Sequence, residues 1–399
     1  MTIQLVHLQR PAQGAPVQKF NLAQAQLARN FHSSIPGYAP TPLVNLPKLA
    51  ASLGVAGLYV KDESKRFGLN AFKVLGGSFA IASYIAEKLN LRREDLTFQL
   101  LTSPEVKAKL GPVTFVTATD GNHGRGVAWT ANRLGQRSVV YMPEGSAPER
   151  LQNIRALGAE ASITDLVYDD AVRLAKQQAA QNGWVLVQDT DWEGYTQIPG
   201  WIMQGCTTLG CEILEQLGKV RPTHIFLQAG VGSLAGALAA FFASVYGDGQ
   251  EAPVVTVVEP TGAACVFKTA QANDGKLHFA GKMQTIMAGL CCGEPCRTAW
   301  EILHDHADYF ATIPDEAAAT GMRILGHPLP GDQQIISGES GASTFGLVAA
   351  VLRQPEYAAV KAQLGLDNKS RILCISTEGD TDQANYRRIV WDGAWGTAK

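Results

Sequence analysis

The stretch HIFLQAGVGSLAG, residues 224–236, carries the reading of the fold. Its first five residues form a near-continuous apolar run, the mark of a strand buried on both faces. Glycines then break the run, and small residues from Ser233 onward continue as a helix. A buried strand, a tight glycine turn and a helix together make up half of a βαβ unit.

The same pattern recurs on both sides of it. GLYVK (57–61), VTFVTA (113–118), SVVYM (138–142), WVLVQ (184–188), VVTVV (254–258) and RILCIS (371–376) read as further strands. Helices lie between them. Residues 74–89 are apolar over a wide face, which predicts a deeply buried helix. Residues 147–157 stop at Gly158 and residues 169–181 stop at Asn182-Gly183, both C-cap signals. This alternation predicts an α/β protein with parallel sheets and right-handed crossovers. A chain of 399 residues is long enough for two domains.

Composition excludes several classes of function. Apolar residues make up 46% and charged residues 18%, with a net charge of -2 and no basic block. Nucleic acid and anionic membrane are not the expected partners. No apolar run approaches the roughly 20 residues of a membrane span. The N-terminal MTIQLVHLQRPAQGAP lacks the apolar core of a secretory signal, so the expected compartment is the cytoplasm. Seven cysteines read as reduced thiols. Cys291, Cys292 and Cys296 cluster, but no fourth ligand accompanies them and no metal is expected. Pairing with Cys265 stays open.

In parallel sheets ligands collect at the carboxyl ends of the strands. The loops there are TDGNHGRG (119–126), DTDWEGY (189–195), AGVGSLAG (229–236) and TEGDTD (377–382). Gly230, Gly232 and Gly236 would let the backbone approach an anion at a helix N-terminus, which suits a phosphate. The spacing departs from the dinucleotide fingerprint G-x-G-x-x-G, and no acidic residue clearly takes the ribose role, Glu259 being a candidate, so a nicotinamide cofactor is not favoured. In 119–126, backbone amides could hold a carboxylate and Asn122 a phenolic oxygen. His123 reads as scaffold or general base, and Asp120 as a turn residue or a base. Asp189, first past its strand, is the better-placed acid of 189–195; Asp191 reads as an Asx-turn. Lys73, in FGLNAFKVLGGSFA (67–80), either packs its stem and sends its head to water or loses its proton and attacks a carbonyl. A lysine, a phosphate loop, a carboxylate-binding loop and an acid pair together suit pyridoxal phosphate held as a Schiff base.

These motifs resemble the fold-type II pyridoxal-phosphate enzymes, the tryptophan synthase β-like group. PTPLVNLPKLA (40–50) with VKDES (60–64) is similar to the group's opening pattern. AFKVLGG (71–77) resembles its lysine motif, with Ala71 in place of serine and Leu75 in place of arginine. TDGNHGRG resembles its Asn-His loop, ESGA (339–342) its Ser-Gly-Ala segment, and STEGDTD (376–382) its Ser-Gly-Gly-Asn segment. Within the group, KDESKRFGLNAFK, TDGNHGRGVAW, VQDTDWEGYTQIPGWIMQG, TIMAGL, IISGESGA and ISTEGDTD, between residues 61 and 382, look like signatures of the diaminopropionate ammonia-lyase family. Asp120 stands where serine and threonine dehydratases carry a small residue.

The resemblance implies a fold-type II enzyme whose large cofactor domain is 1–82 with 197–399, and whose smaller mobile domain is 83–196. It implies Lys73 as the Schiff-base residue, with Asp120 and Asp189 as bases on opposite faces of the substrate. Asn122 would hold the phenolic oxygen, Gly230, Val231, Gly232, Ser233 and Leu234 the phosphate, and Thr377 the ring nitrogen, with Asp380 close by as a competing acid. Thr119, Gly121 and His123 would hold the substrate carboxylate. The implied reaction is elimination from D- and L-2,3-diaminopropionate to pyruvate and two ammonia, by a homodimer. The alternatives are a serine or threonine dehydratase of the same fold and a non-catalytic ligand-binding module.

Overall fold

The long apolar runs pair with one another at the centres of two sheets. The computed structural model describes residues 2–119, 121–247, 252–281 and 283–396. In chain order the strands are β1 (Gln4–His7), β2 (Leu43–Asn45), β3 (Gly57–Asp62), β4 (Thr114–Ala118), β5 (Arg137–Met142), β6 (Glu160–Ile163), β7 (Val185–Leu186), β8 (His224–Gln228), β9 (Val254–Pro260), β10 (Tyr309–Ile313) and β11 (Arg371–Ser376). Among the described residues they form a seven-stranded sheet of order β1-β10-β9-β8-β11-β3-β2 and a four-stranded sheet of order β6-β5-β4-β7. The four-stranded sheet is parallel throughout. The larger one is parallel except at its edges, where β1 and β2 run antiparallel.

Expected and observed elements differ in instructive places. The run 184–188 contributes only Val185–Leu186 to the ladder, although the Val187 N–H still reaches the Val116 carbonyl at 2.8 Å. β1, β2 and β6 were not expected. They are short strands of three or four residues, each with exposed positions and no continuous apolar run. β10 was also not expected, although it is apolar and almost wholly buried, because five residues are too few to show a period. The helix expected over 74–89 runs Val74–Lys88, and Gly183 closes the helix Tyr168–Asn182 in the left-handed conformation.

The helix Val74–Lys88 starts directly after Lys73 and is buried between the helices Asn122–Arg133 and Gln197–Leu217. Contact there is backbone against backbone. A Cβ on Gly126 would stand 2.8 Å from Val74 Cα, and one on Gly76 would stand 3.0 Å from the Ile202 carbonyl oxygen. Only glycine permits that approach, and the approach fixes where Lys73 emerges. The preceding segment is held just as firmly. Lys61 Nζ lies 2.6 Å from Glu212, Arg66 bridges Glu212 at 2.7 Å and Glu63 at 2.8 Å, and all four side chains are buried. Phe67 and Asn70 have left-handed backbones (φ 49° and 58°), so the chain turns sharply on the way to Lys73.

Glu212 is the shared anion of this network. Burial pushes its carboxyl up, but the Arg66 and Lys61 cations outweigh burial and hold it below the usual glutamate range. A depressed folded value means that this stability is present above the ordinary value and lost as pH falls toward the depressed one. Glu212→Gln leaves two buried cations short of an anion and is expected to destabilise the fold by about 3–5 kcal/mol. Urea unfolding at pH 7 measures it, and a change under about 1 kcal/mol would contradict the central role given to Glu212.

Candidate active site

Four strand ends and the segment before the helix Val74–Lys88 close around one cavity. Apolar walls and a few converging polar groups, among them Lys73, Asn122, Asp189 and Thr377, line it, as in small-molecule sites. The parallel order β8-β11-β3 sets the loops after β8 and β11 side by side. The main chain then links them to the lysine segment: the Phe72 N–H donates to the Thr377 carbonyl at 3.1 Å, and Ala71 pairs with Glu378 in an isolated bridge. The loops after β4 and β7 face them from the other sheet.

Lys73 and Asp189 meet in this cavity, with Nζ 2.5 Å from Oδ2. The other carboxylate oxygen of Asp189 accepts from the Tyr168 hydroxyl and from Gln188 Nε2, both at 3.3 Å. Gln188 is itself locked, donating to the Tyr168 hydroxyl at 3.0 Å and to the Ala118 carbonyl at 3.1 Å, and accepting from the Ala118 N–H at 3.0 Å. Burial alone would raise the Asp189 carboxyl. The Lys73 charge, with help from His123, reverses this and holds it well below the usual range. Beside a charged Lys73 it is a weaker base than an ordinary aspartate.

The loop after β8 has the expected form. Gly232 adopts φ 97° at the start of the helix Ser233–Tyr246. A Cβ on Gly230 would stand 3.0 Å from Cys292 Sγ and 3.3 Å from the Gly289 carbonyl. Gly230, Val231, Gly232, Ser233 and Leu234 all line the cavity. The Ser233 hydroxyl is committed to the Asp189 carbonyl at 2.6 Å, which leaves its N–H for an anion. Gly236 faces away, packed on Ala299.

Thr377 also lines the cavity. Its hydroxyl oxygen accepts from Gln228 Nε2 at 3.1 Å, so its own hydrogen is available to donate inward. Gln228 Oε1 is buried without a hydrogen-bond partner, which leaves an acceptor at the same place. Asp380 lies apart, accepting from Asn70 Nδ2 at 2.9 Å.

In the loop after β4, Asn122 and His123 line the cavity. His123 Nε2 is 2.7 Å from the Val187 carbonyl, a scaffold bond between neighbouring loops. The Gly121 N–H is turned to Thr119 Oγ1 at 2.9 Å. Asp120 lies outside the described residues. Asp191 serves neither in the cavity nor in a local turn: it caps the helix Arg297–His306, accepting from the N–H groups of Arg297 (2.6 Å) and Thr298 (3.1 Å). Glu259 is likewise structural. Its buried carboxylate accepts from the N–H groups of Val266 and Phe267, so it is not available to a ribose. No disulfide joins any of the seven cysteines among the described residues.

Sequence reasoning missed Tyr168, Gln188, Gln228, Ser340 and Glu378. Glu378 was within reach, as the neighbour of Thr377 in STEGDTD. Nothing local marked Tyr168, whose role depends on where its helix docks.

A lysine amine, amides at a helix N-terminus and an inward hydroxyl donor form the set that a phosphorylated pyridine aldehyde needs, and this defines the class as pyridoxal-phosphate enzymes on a two-sheet α/β frame. A family profile described as "Pyridoxal-phosphate dependent enzyme" matches residues 35–378. The sequence is 51% identical over 377 residues to diaminopropionate ammonia-lyase of Escherichia coli (strain K12), covering 94% of this chain and 93% of that one. The crystal structure of the Escherichia coli diaminopropionate ammonia lyase in complex with an aminoacrylate-PLP azomethine reaction intermediate matches with a TM-score of 0.91 and 47% identity, over 100% of this chain and 99% of that chain. L-threonine ammonia-lyase of Geobacter sulfurreducens is 28% identical over 71% of this chain and 61% of its own length. The chain belongs to the pyridoxal-phosphate dependent enzymes, in the branch of the diaminopropionate ammonia-lyases, and has their fold-type II architecture. Among the described residues, no helix is long and apolar enough to cross a membrane.

Proposed function

We propose that the protein catalyses α,β-elimination of one ammonia from 2,3-diaminopropionate, as either the D or the L isomer, and that water then hydrolyses the released aminoacrylate to pyruvate and a second ammonia. One observation carries the reading: a buried carboxylate, Asp189, stands 2.5 Å from the Lys73 amine inside the cofactor cavity. The 51% identity to a diaminopropionate ammonia-lyase supports it. Bound pyridoxal phosphate supplies an electron sink for the carbanion formed at Cα.

Each residue then has a defined task. The Lys73 amine holds the cofactor's aldehyde. The amides of Gly230–Leu234 cradle its phosphate with the positive end of the helix dipole. Thr377 donates to the ring nitrogen without transferring a proton, and Asn122 donates to the phenolic oxygen. The Thr119 hydroxyl holds the substrate carboxylate, the Gly121 amide joins it once its bond to Thr119 opens, and His123 does so only by giving up its bond to the Val187 carbonyl. Asp189 takes the Cα proton on one face and Asp120 on the other. Where the substrate has displaced Lys73 and left its amine neutral, the ammonium that holds Asp189 down is gone. Burial then dominates and makes it a stronger base. These carboxylates also favour a substrate with a second ammonium group. A hydroxy amino acid lacks that charge.

Residues 83–196 act as the smaller mobile domain over 1–82 and 197–399, and the enzyme works as a cytoplasmic homodimer. The deciding experiment compares kcat/KM on diaminopropionate and on serine. We expect diaminopropionate to be preferred by about 100-fold or more, since a site built around a polar group strongly rejects analogues lacking it. Higher efficiency on serine would make the protein a dehydratase. A purified protein without the visible absorption of bound cofactor would be a ligand-binding module.

A further inference from the structure

Glu378 has no part in the chemistry described so far, yet it joins several walls of the cavity. It is 1% exposed. Its Oε2 accepts from Asn122 Nδ2 at 2.5 Å and from the Thr381 hydroxyl at 3.1 Å, and its Oε1 accepts from the Ser340 N–H at 3.2 Å. Its main chain pairs with Ala71, two residues before Lys73, and its carbonyl accepts from the Gly338 N–H at 3.0 Å. The bond to Asn122 is the one that crosses between sheets. Asn122 opens the helix that follows β4 of the four-stranded sheet, whereas Glu378 follows β11 of the seven-stranded one.

The chemistry of the pair is directional. Both oxygens of Glu378 serve as acceptors, so the Asn122 carboxamide has to turn its nitrogen toward it. One hydrogen of that nitrogen is used there. The second remains on the same atom, and Asn122 lines the cavity. A phenolic oxygen carrying negative charge needs such a donor. With its carboxamide reversed, Asn122 would present Oδ1 to that oxygen, lone pair against lone pair. We infer that Glu378 is a positioning residue that locks the Asn122 carboxamide in its donor orientation toward the cofactor, and does so only while the two sheets are docked. This rests on the reading that Asn122 faces the cofactor's phenolic oxygen. Ser340 and Thr381, the other two donors, hold the carboxylate in place and are part of the same device.

The test uses the holoprotein and pyridoxal 5'-phosphate itself, with two readouts that need no substrate: the absorption spectrum of the bound cofactor and its dissociation constant. Asn122→Ala is expected to shift the spectrum and weaken binding by about tenfold, the scale of one charge-assisted hydrogen bond. Glu378→Gln allows the carboxamide to reverse and is expected to reproduce the spectral shift, with binding weakened about three- to tenfold. In the double variant the two losses should not multiply, so binding should fall within about twofold of Asn122→Ala alone. Glu378→Asp keeps an acceptor but withdraws it by one methylene, and should show a weaker form of the same shift if Glu378→Gln fails to fold. An unchanged spectrum in the Glu378 variants beside a changed one in Asn122→Ala overturns the inference, as do losses that multiply. An Asn122→Ala protein with unaltered spectrum and affinity overturns both the inference and the assignment of Asn122. None of these outcomes depends on which amino acid the enzyme consumes.

Discussion

Lys73→Ala is expected to lower turnover of diaminopropionate by about 10⁴-fold or more, since loss of the group that carries covalent catalysis is not made up by its neighbours. Borohydride reduction followed by peptide mapping should label Lys73 in the native protein and label nothing at that position in the variant. A native protein unlabelled at Lys73 would remove the proposed chemistry altogether. The substitution also has a consequence for stability whose sign can be worked out. In the native chain the Lys73 ammonium holds Asp189 below the usual range, so that pair stabilises the fold above the ordinary aspartate value of ~3.9 and loses its effect on acidification. Without the lysine, burial is the largest influence on Asp189 and raises its pKa. The folded state then binds more protons than the unfolded chain, and stability falls as pH rises. The variant should therefore melt lower at pH 7 than at pH 5. A melting temperature that rises over that interval would show that the Lys73 charge is not what depresses Asp189.

Asp189→Asn has the second-largest expected effect. The replacement keeps the shape of the side chain and an oxygen for Tyr168 and Gln188, but it cannot take a proton. Loss of a general base is expected to cost about 10²–10⁴-fold in kcat for one enantiomer, with less than about tenfold change for the other. Asp120→Asn should show the opposite preference. Equal losses on both enantiomers in each variant would defeat the idea of bases on two faces. The position of Asp189 also predicts a division between kcat and KM. Tyr168 and Gln188 touch its Oδ1 from outside the reacting atoms, so they act through Asp189 and not on the substrate. Their removal should lower kcat and shift its acidic limb, leaving KM close to native.

Much of this architecture is local enough to be written in short stretches of chain. The strands at 57–61, 113–118, 138–142, 224–228, 254–258 and 371–376 are apolar runs because both of their faces are covered, and burial imposes the same composition wherever the strand sits. The glycines at 230 and 232 are equally legible, because a strand that turns sharply into a helix near an anion has few other choices. β1 and β2 were not legible. They are edge strands with exposed positions, and what makes them strands is the unpaired backbone of β10 and β3 beside them. Asp191 reads in sequence as an Asx-turn and Glu259 as a candidate ribose acid, and both cap helices. A carboxylate at a strand end has the same sequence signature whether it faces a ligand or the N–H groups of a helix.

Alternating pattern and loop chemistry determined the α/β class and the parallel sheets, and marked the 229–236 loop and Lys73 as candidates, all of which depend on residues near one another in the chain. Tertiary structure alone decided that Asp189 meets Lys73 across 116 positions and that Glu378 meets Asn122 across 256. It also decided that Asp189 is depressed by a neighbouring cation and not raised by burial. Such contacts follow from the order in which strands pair and from how one sheet docks on another. Periodicity specifies which face of an element is buried but not which partner covers it.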